Sequence, residues 1–339
     1  MTKKTETKLK TRFALSVLAF LLSAGGMGHA AENVTIVVAG MEKQIYLPVK
    51  LAEQLGYLKE TGLDIKLLNV SSGVYAETEM LSGAAQGVVG FYDHAIDLQA
   101  RGKLVQSVVQ FSQVPGEALL VSTKASDIRS PADFRGRLLG VTGLGSSTNF
   151  LTRYLAAEAG VRPRDFTTVP VGAGDSFITA MRQGRIDAGM ATEPTISHLV
   201  SSGAARVLID LRSVNETKNA LGGTYPGACL YMSNAWVSRH RDAVQKLATA
   251  FVKTLKYIRN HSAQEIADKM PPEYYYGASK QLYVEALTTS KSMFTVDGVM
   301  PEDGPATVLK VLNSFDKSVQ GKSIHLPNTY TNEFVRGEK

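Results

Sequence analysis

Residues 64–91, DIKLLNVSSGVYAETEMLSGAAQGVVGF, decide the fold class. Asp64 to Val70 is an apolar run after the Gly62 turn and reads as a strand. Ser71-Ser72-Gly73 then supplies a helix start, and the helix runs through Leu81. Gly87 to Phe91 is a second short strand. Strand, helix and strand in this order predict a parallel βαβ unit, because parallel strands need a crossover and a helix is the usual one.

The same rhythm extends on both sides. Upstream, Val34 to Ala39 is a β-branched strand, and Ile45 to Leu55 carries apolar residues at helical spacing up to Gly56. Downstream, Ala95 to Ala100 reads as helix and Val105 to Phe111 as strand. A loop at Ser112 to Gly116 interrupts the pattern. A second series then follows, with strands at Ala118 to Ser122, Leu138 to Thr142, Thr167 to Val171 and Ala188 to Ala191. Its helices are expected at Ser147 to Glu158 and Asp175 to Gln183. Gly227 to Met232 reads as one more buried strand, and from Asp242 the chain turns helical: 242–260, 263–269, 279–294 and 304–318. The prediction is an α/β protein of two lobes with a ligand cleft between them. The first lobe is expected to comprise residues 33–113 and 236–339, and the second residues 114–235.

Composition narrows the function classes. The 339 residues are 44% hydrophobic and 20% charged, an ordinary globular balance. The net charge is +6, but the first thirty residues hold Lys3, Lys4, Lys8, Lys10 and Arg12 against Glu6 alone. Without them the chain is close to neutral, which offers no concentrated basic face for DNA or RNA. Those residues read as a signal peptide: a basic start, an apolar run from Phe13 to Leu22, and small residues ending Gly28-His29-Ala30. The run is about half of the roughly 20 residues that span a bilayer. The expectation is export to the periplasm with cleavage after Ala30, and a monomer in solution.

Cys229 is the only cysteine, so no internal disulfide is possible, and its place in a buried strand makes it packing rather than a nucleophile. His94, His198, His240, His261 and His325 show no metal-ligand spacing, and neither a G-x-S-x-G elbow nor a P-loop is present. These absences point away from an enzyme and from a resident cofactor or metal.

Several segments together resemble the solute-binding proteins of ABC importers for nitrate, sulfonates, taurine and related compounds. They are Glu53-Gln54-Leu55-Gly56-Tyr57-Leu58-Lys59-Glu60-Thr61-Gly62-Leu63-Asp64-Ile65, Asp133-Phe134-Arg135-Gly136-Arg137 before the Leu138 strand, and Gly145-Ser146-Ser147-Thr148. Met181-Arg182-Gln183-Gly184-Arg185-Ile186-Asp187-Ala188 and Asp297-Gly298 follow in the same order. The resemblance implies the type II periplasmic-binding fold, a small-molecule ligand and an inner-membrane ABC permease as partner. A fungal-type pyrimidine-precursor synthase shares this fold, but its Cys-rich signature is missing here.

In open parallel sheets ligands sit beyond the carboxyl ends of the strands. The loops to inspect are therefore 41–46, 71–73, 91–94, 143–148, 172–176 and 192–195. Gly145, Ser146, Ser147 and Thr148 form a strand–turn–helix start whose free N–H groups suit an anion, or else Ser146 or Ser147 merely caps the helix. Ser71, Ser72 and Gly73 repeat that chemistry in the first lobe, with an ordinary helix cap as the competing reading. Gln44, Tyr46, Phe91, Tyr92 and Tyr225 are candidate walls and contacts. His94 reads as a surface or capping residue. Glu193 either holds an amine or pyrimidine-like group or pairs with Arg182 or Arg185, and Asp175 is either a contact or a helix cap. The expected ligand is a small organic anion gripped at Ser146, Ser147 and Thr148.

Overall fold

A computed structural model of the chain describes residues 31–275 and 279–336. The expected signal peptide and its cleavage point lie outside the described residues. Ten strands form two five-stranded sheets. They are β1 Asn33–Val38, β2 Asp64–Asn69, β3 Gly87–Phe91, β4 Val105–Gln110, β5 Glu117–Ser122, β6 Leu138–Val141, β7 Thr167–Pro170, β8 Ala188–Thr192, β9 Ala205–Leu211 and β10 Ala228–Ser233. The helices of the first series are α1 Leu47–Gln54, α2 Gly73–Leu81, α3 Asp93–Ala100, α4 Ser147–Glu158, α5 Asp175–Arg182, α6 Thr195–Ser201 and α7 Val214–Leu221. The later ones are α8 Asn234–Arg239, α9 Arg241–Asn260, α10 Ala263–Ala267, α11 Lys280–Ser290 and α12 Gly304–Phe315. Among the described residues no helix is long and apolar enough to cross a membrane.

The first sheet runs β2-β1-β3-β10-β4 and the second β7-β6-β8-β5-β9. In each, the first three strands are parallel and the fourth is antiparallel to its neighbours. The antiparallel strand is the one exchanged across the molecule. β5 enters the second sheet directly after β4 leaves the first, and β10 returns to the first sheet after the second is finished. The sequence reading assigns residues 228–233 to the second lobe, but their pairing with β3 and β4 puts them in the first sheet, so the return crossing lies before Ala228 rather than near 235. A strand's apolar pattern tells that it is buried, not in which of two sheets.

The two crossings lie side by side. Ser112 N–H donates to the Ala228 carbonyl at 3.0 Å, and Ser112 Oγ accepts from Ala228 N–H at 2.8 Å. Gln110 Nε2 donates to the carbonyls of Ser112, Gly227 and Ala228. Gly227 is needed here, since a Cβ on it would sit 2.7 Å from the Val114 carbonyl oxygen and 3.2 Å from Pro115 Cα. Backbone that close leaves no room for a side chain.

Helical residues after Asp242 do not stay on one side. α9 buries Val244, Leu247, Phe251 and Leu255 and packs on α1 and β4, whereas α12 packs on both α3 and α4. Phe315 at its end stacks near Phe150 of α4 and under the Arg153 guanidinium, 4.8 Å away. Periodicity missed α6, α7, α8 and β9, the last because Ala205–Leu211 is mostly half-buried and carries Arg206 and Asp210.

Candidate functional site

The carboxyl ends of both sheets' parallel strands open on one polar cavity. It is lined from the first sheet's side by Lys43, Tyr46, Gly73, Phe91 and His94, and from the second's by Glu117, Thr142, Ser146, Ser147, Thr148 and Thr192. Tyr46 and Phe91 form its aromatic wall, edge to face at 6.3 Å.

The second sheet's wall is made by the turn after β6. Ser146 Oγ donates to the Gly143 carbonyl at 2.6 Å, and Thr148 Oγ1 accepts from Thr142 N–H at 3.0 Å. The hydroxyls of Thr142, Ser146 and Thr148 are mutually 2.9 Å apart. Two of the three expected gripping hydroxyls are therefore spent on holding the turn. Ser147 instead reaches across: its Oγ donates to Asp93 Oδ1 at 2.7 Å. What remains for a ligand are the backbone N–H groups of Ser147 and Thr148, which open α4 and have no acceptor within the helix.

The first sheet's wall is ionisable. Asp93, fully buried, also accepts from Tyr225 Oη at 2.9 Å, and burial pushes its carboxyl up despite these bonds and the nearby His94. His94 is buried as well, with Nδ1 3.2 Å from Glu77 Oε2 and Nε2 unpartnered beside Gly73. Burial alone would lower His94, but Glu77, Asp93 and Asp97 outweigh it and raise it. Burial pushes Glu77 up, and its bonds to His94 and Arg101 more than reverse that, leaving it lowered. Lys43 donates to the carbonyls of Ala39 at 2.6 Å and Ser71 at 3.3 Å; burial lowers its ammonium. Glu117 faces it from the first position of β5, with Oε2 unpartnered and its carboxyl pushed well up by burial and by Asp93.

Of the residues singled out in the sequence, Tyr46, Gly73, Phe91, Ser146, Ser147 and Thr148 line the cavity. The others do not. Gln44 turns its amide to the Tyr283 carbonyl and Ser290 on α11, while its N–H donates to the Glu193 carbonyl at 3.0 Å. Tyr92 is directed into the core, where its hydroxyl bonds with Thr329, and Tyr225 acts behind Asp93. Ser71 is exposed and lends only its carbonyl; Ser72 is buried with an unpartnered hydroxyl against Gly143. Gly145 has φ +85° and forms the turn. Asp175 is exposed at the first position of α5, after the N-cap Gly174, and among the described residues its side chain makes no capping hydrogen bond.

Glu193 needs correction. Its carboxylate is 1% exposed, with Oε1 2.6 Å from Arg212 and Oε2 accepting from Ser197 N–H at 3.0 Å. It does not line the cavity, and its partner is Arg212 rather than Arg182 or Arg185. Lys43, Glu117, Thr142 and Thr192 are lining residues that the sequence reading does not single out, and His94, read there as a surface or capping residue, is buried in the lining. Lys43, His94 and Thr192 fall in the loops 41–46, 91–94 and 192–195 that strand-end logic marks, and Glu117 is an acid opening the otherwise apolar strand Glu-Ala-Leu-Leu-Val-Ser. Cys229 is buried in β10, and burial pushes its thiol up, as its packing role requires.

Comparison with known proteins adds the family. Residues 43–265 match the family described as NMT1/THI5 like. A solved structure from Bordetella bronchiseptica RB50 is 35% identical, with a TM-score of 0.87 over 91% of this chain and 96% of that one. The alkanesulfonate-binding protein SsuA from Xanthomonas axonopodis pv. citri, solved with MOPS, superposes with a TM-score of 0.69 at 18% identity, over 89% of this chain and all of that one. A 4-amino-5-hydroxymethyl-2-methylpyrimidine phosphate synthase of Saccharomyces cerevisiae is 24% identical over 68% of each chain. The two sheets with their exchanged strands are thus the two-lobed periplasmic-binding fold.

Proposed function

The chain belongs to the NMT1/THI5-like family, and from that premise we propose that it is the periplasmic solute-binding component of an ABC importer. Its ligand is a small organic molecule with an anionic group, enclosed between the lobes and handed to a permease. The observation that carries this reading is a cavity walled by both sheets and latched across by the Ser147–Asp93 bond. A ligand that touches both walls is bound better by the closed form than by the open one, and that difference is what drives closure. The anionic group is placed at the Ser147 and Thr148 N–H groups, where the positive end of α4 also favours it. Export rests on the basic, short apolar leader.

Closure brings Gly143 against the first lobe, where an added Cβ would lie 2.9 Å from Ser72 Oγ and 3.3 Å from Ser72 Cβ. Gly143→Ala is therefore expected to weaken binding about tenfold, near 1.4 kcal/mol, while the ligand-free melting temperature stays put. The direct test is a thermal-shift screen of small carboxylates, sulfonates and amino-heterocycles, followed by recovery of the bound compound. A ligand at about 100 times its Kd adds roughly 2.7 kcal/mol of stability. Recovery of an altered compound makes the protein an enzyme, the activity carried by its yeast relatives' name.

A further inference from the structure

Two ionisable side chains from different sheets, Lys43 and Glu117, line the cavity without bonding to each other. Lys43 comes from the loop after β1 and Glu117 from the start of β5 in the other sheet, and both line the same space. Both are buried, at 5% and 1% exposure. Such a pair is normally closed into an ion pair, because each lone charge otherwise bears the full cost of leaving water. Here Lys43 gives two of its three N–H groups to the Ala39 and Ser71 carbonyls, and among the described residues nothing donates to Glu117 Oε2. Its Oε2 is buried, lacks any hydrogen-bond partner and borders the cavity. An unpaired buried acceptor costs about 1–3 kcal/mol, so something is expected to complete it in the working state.

We infer that Glu117 reads an N–H donor on the ligand, so that the transported solute is an anion carrying an amide, amidine or amino-heterocycle group. The inference rests on the receptor reading above and sharpens its ligand class. Among the neighbouring carboxylates and turn hydroxyls only Glu117 is left open; His94 Nε2 is also unpartnered, but its acidic neighbours raise it toward the imidazolium, which donates rather than accepts. Asp93 already accepts from Ser147 and Tyr225, Glu193 is held by Arg212 and Ser197, and the hydroxyls of Ser146 and Thr148 are committed to the turn. The groups facing Glu117 are Lys43, Asp93, Tyr46 and Tyr225. With its carboxyl pushed up by burial, Glu117 offers an O–H and a carbonyl side by side. That pair complements an N–H next to a carbonyl or ring nitrogen. Nitrate and simple alkanesulfonates have no N–H to give it: they could accept the O–H, but the carbonyl oxygen of the carboxyl would stay without a donor.

The test uses paired probes of similar shape, one with an N–H donor and one without. N-acetylglycine is set against O-acetylglycolate, succinamate against monomethyl succinate, and 4-aminopyrimidine-5-carboxylate against pyrimidine-5-carboxylate, with nitrate and ethanesulfonate as donor-free anions. Affinities are measured by calorimetry on the wild type, Glu117→Gln and Glu117→Ala, each checked for a wild-type far-UV spectrum. At least one N–H member is expected to bind about tenfold or more tighter than its mate. That preference should vanish in Glu117→Ala and survive in part in Glu117→Gln, which keeps a carbonyl acceptor. Equal binding of mates, tight binding of nitrate or ethanesulfonate, or a preference untouched by Glu117→Ala overturns the inference and leaves the receptor reading standing. If no probe of either kind binds, both fall.

Discussion

The two sheets share one strand order, and each places an acid just beyond its third strand: Asp93 after β3 and Glu193 after β8. Both are buried to about the same degree. Their environments differ entirely. Glu193 is clamped by a guanidinium 2.6 Å away and by a backbone N–H, while Asp93 has only the hydroxyls of Ser147 and Tyr225 as direct partners. A topologically equivalent acid has become a strut in one half and a latch across the cleft in the other. The partner decides the role, since a buried carboxylate matched to a cation is fixed, whereas one held by hydroxyls can be released when the lobes part.

The comparison breaks most visibly at Arg212. Arg212→Ala strips Glu193 of its cation but leaves the carboxylate enclosed, and a loss of about 3–5 kcal/mol in denaturant unfolding is expected. A loss under about 1 kcal/mol would mean that water reaches Glu193 and that the two acids are not different in kind.

Asp93 is probed through pH. Its folded pKa lies above the unfolded value near 3.8, so the folded protein favours the protonated form. Wild-type stability is therefore unaffected by this group below that pH and declines as pH rises through the folded pKa. Asp93→Asn cannot ionise. The variant and wild type should agree near pH 3, with Asp93→Asn becoming the relatively more stable of the two toward neutrality, by less than the Arg212 effect. His94, Glu117 and Tyr225 are each raised by the Asp93 charge, so the difference between the two profiles reports Asp93 together with its coupling to these neighbours. Identical pH profiles would remove the distinction between latch and strut.

The smallest effect is expected at Asp175, which is exposed at the start of α5. Asp175→Ala should change stability by no more than about 0.5 kcal/mol, the worth of one exposed charge at a helix start, and leave ligand affinity unchanged in calorimetry. A tenfold loss of affinity would bring α5 into the cleft and enlarge the second wall.

Much of this architecture was legible in advance. The strand Gly87–Phe91 and the helix Ser147–Glu158 carry their pattern within a few residues, because an element's buried face follows from its own period. The anion turn was legible for the same reason: Thr142, Ser146 and Thr148 bond within six residues of one another. The roles within the turn were not. Ser146 and Thr148 look as free as Ser147 in the sequence, and only the fold shows that Ser147 alone finds an acid across the cleft.

What the sequence determined by itself is therefore the order and kind of elements and the local chemistry of each turn. Tertiary structure decided the rest: that β10 crosses back to the first sheet, that Arg212 rather than Arg182 answers Glu193, and that Asp93 meets Ser147. It also decided that His94 and Glu117 are interior. Burial makes a titratable side chain consequential, and burial of a polar residue is not written in its neighbours along the chain, since it depends on which distant segments cover it and what charge they bring.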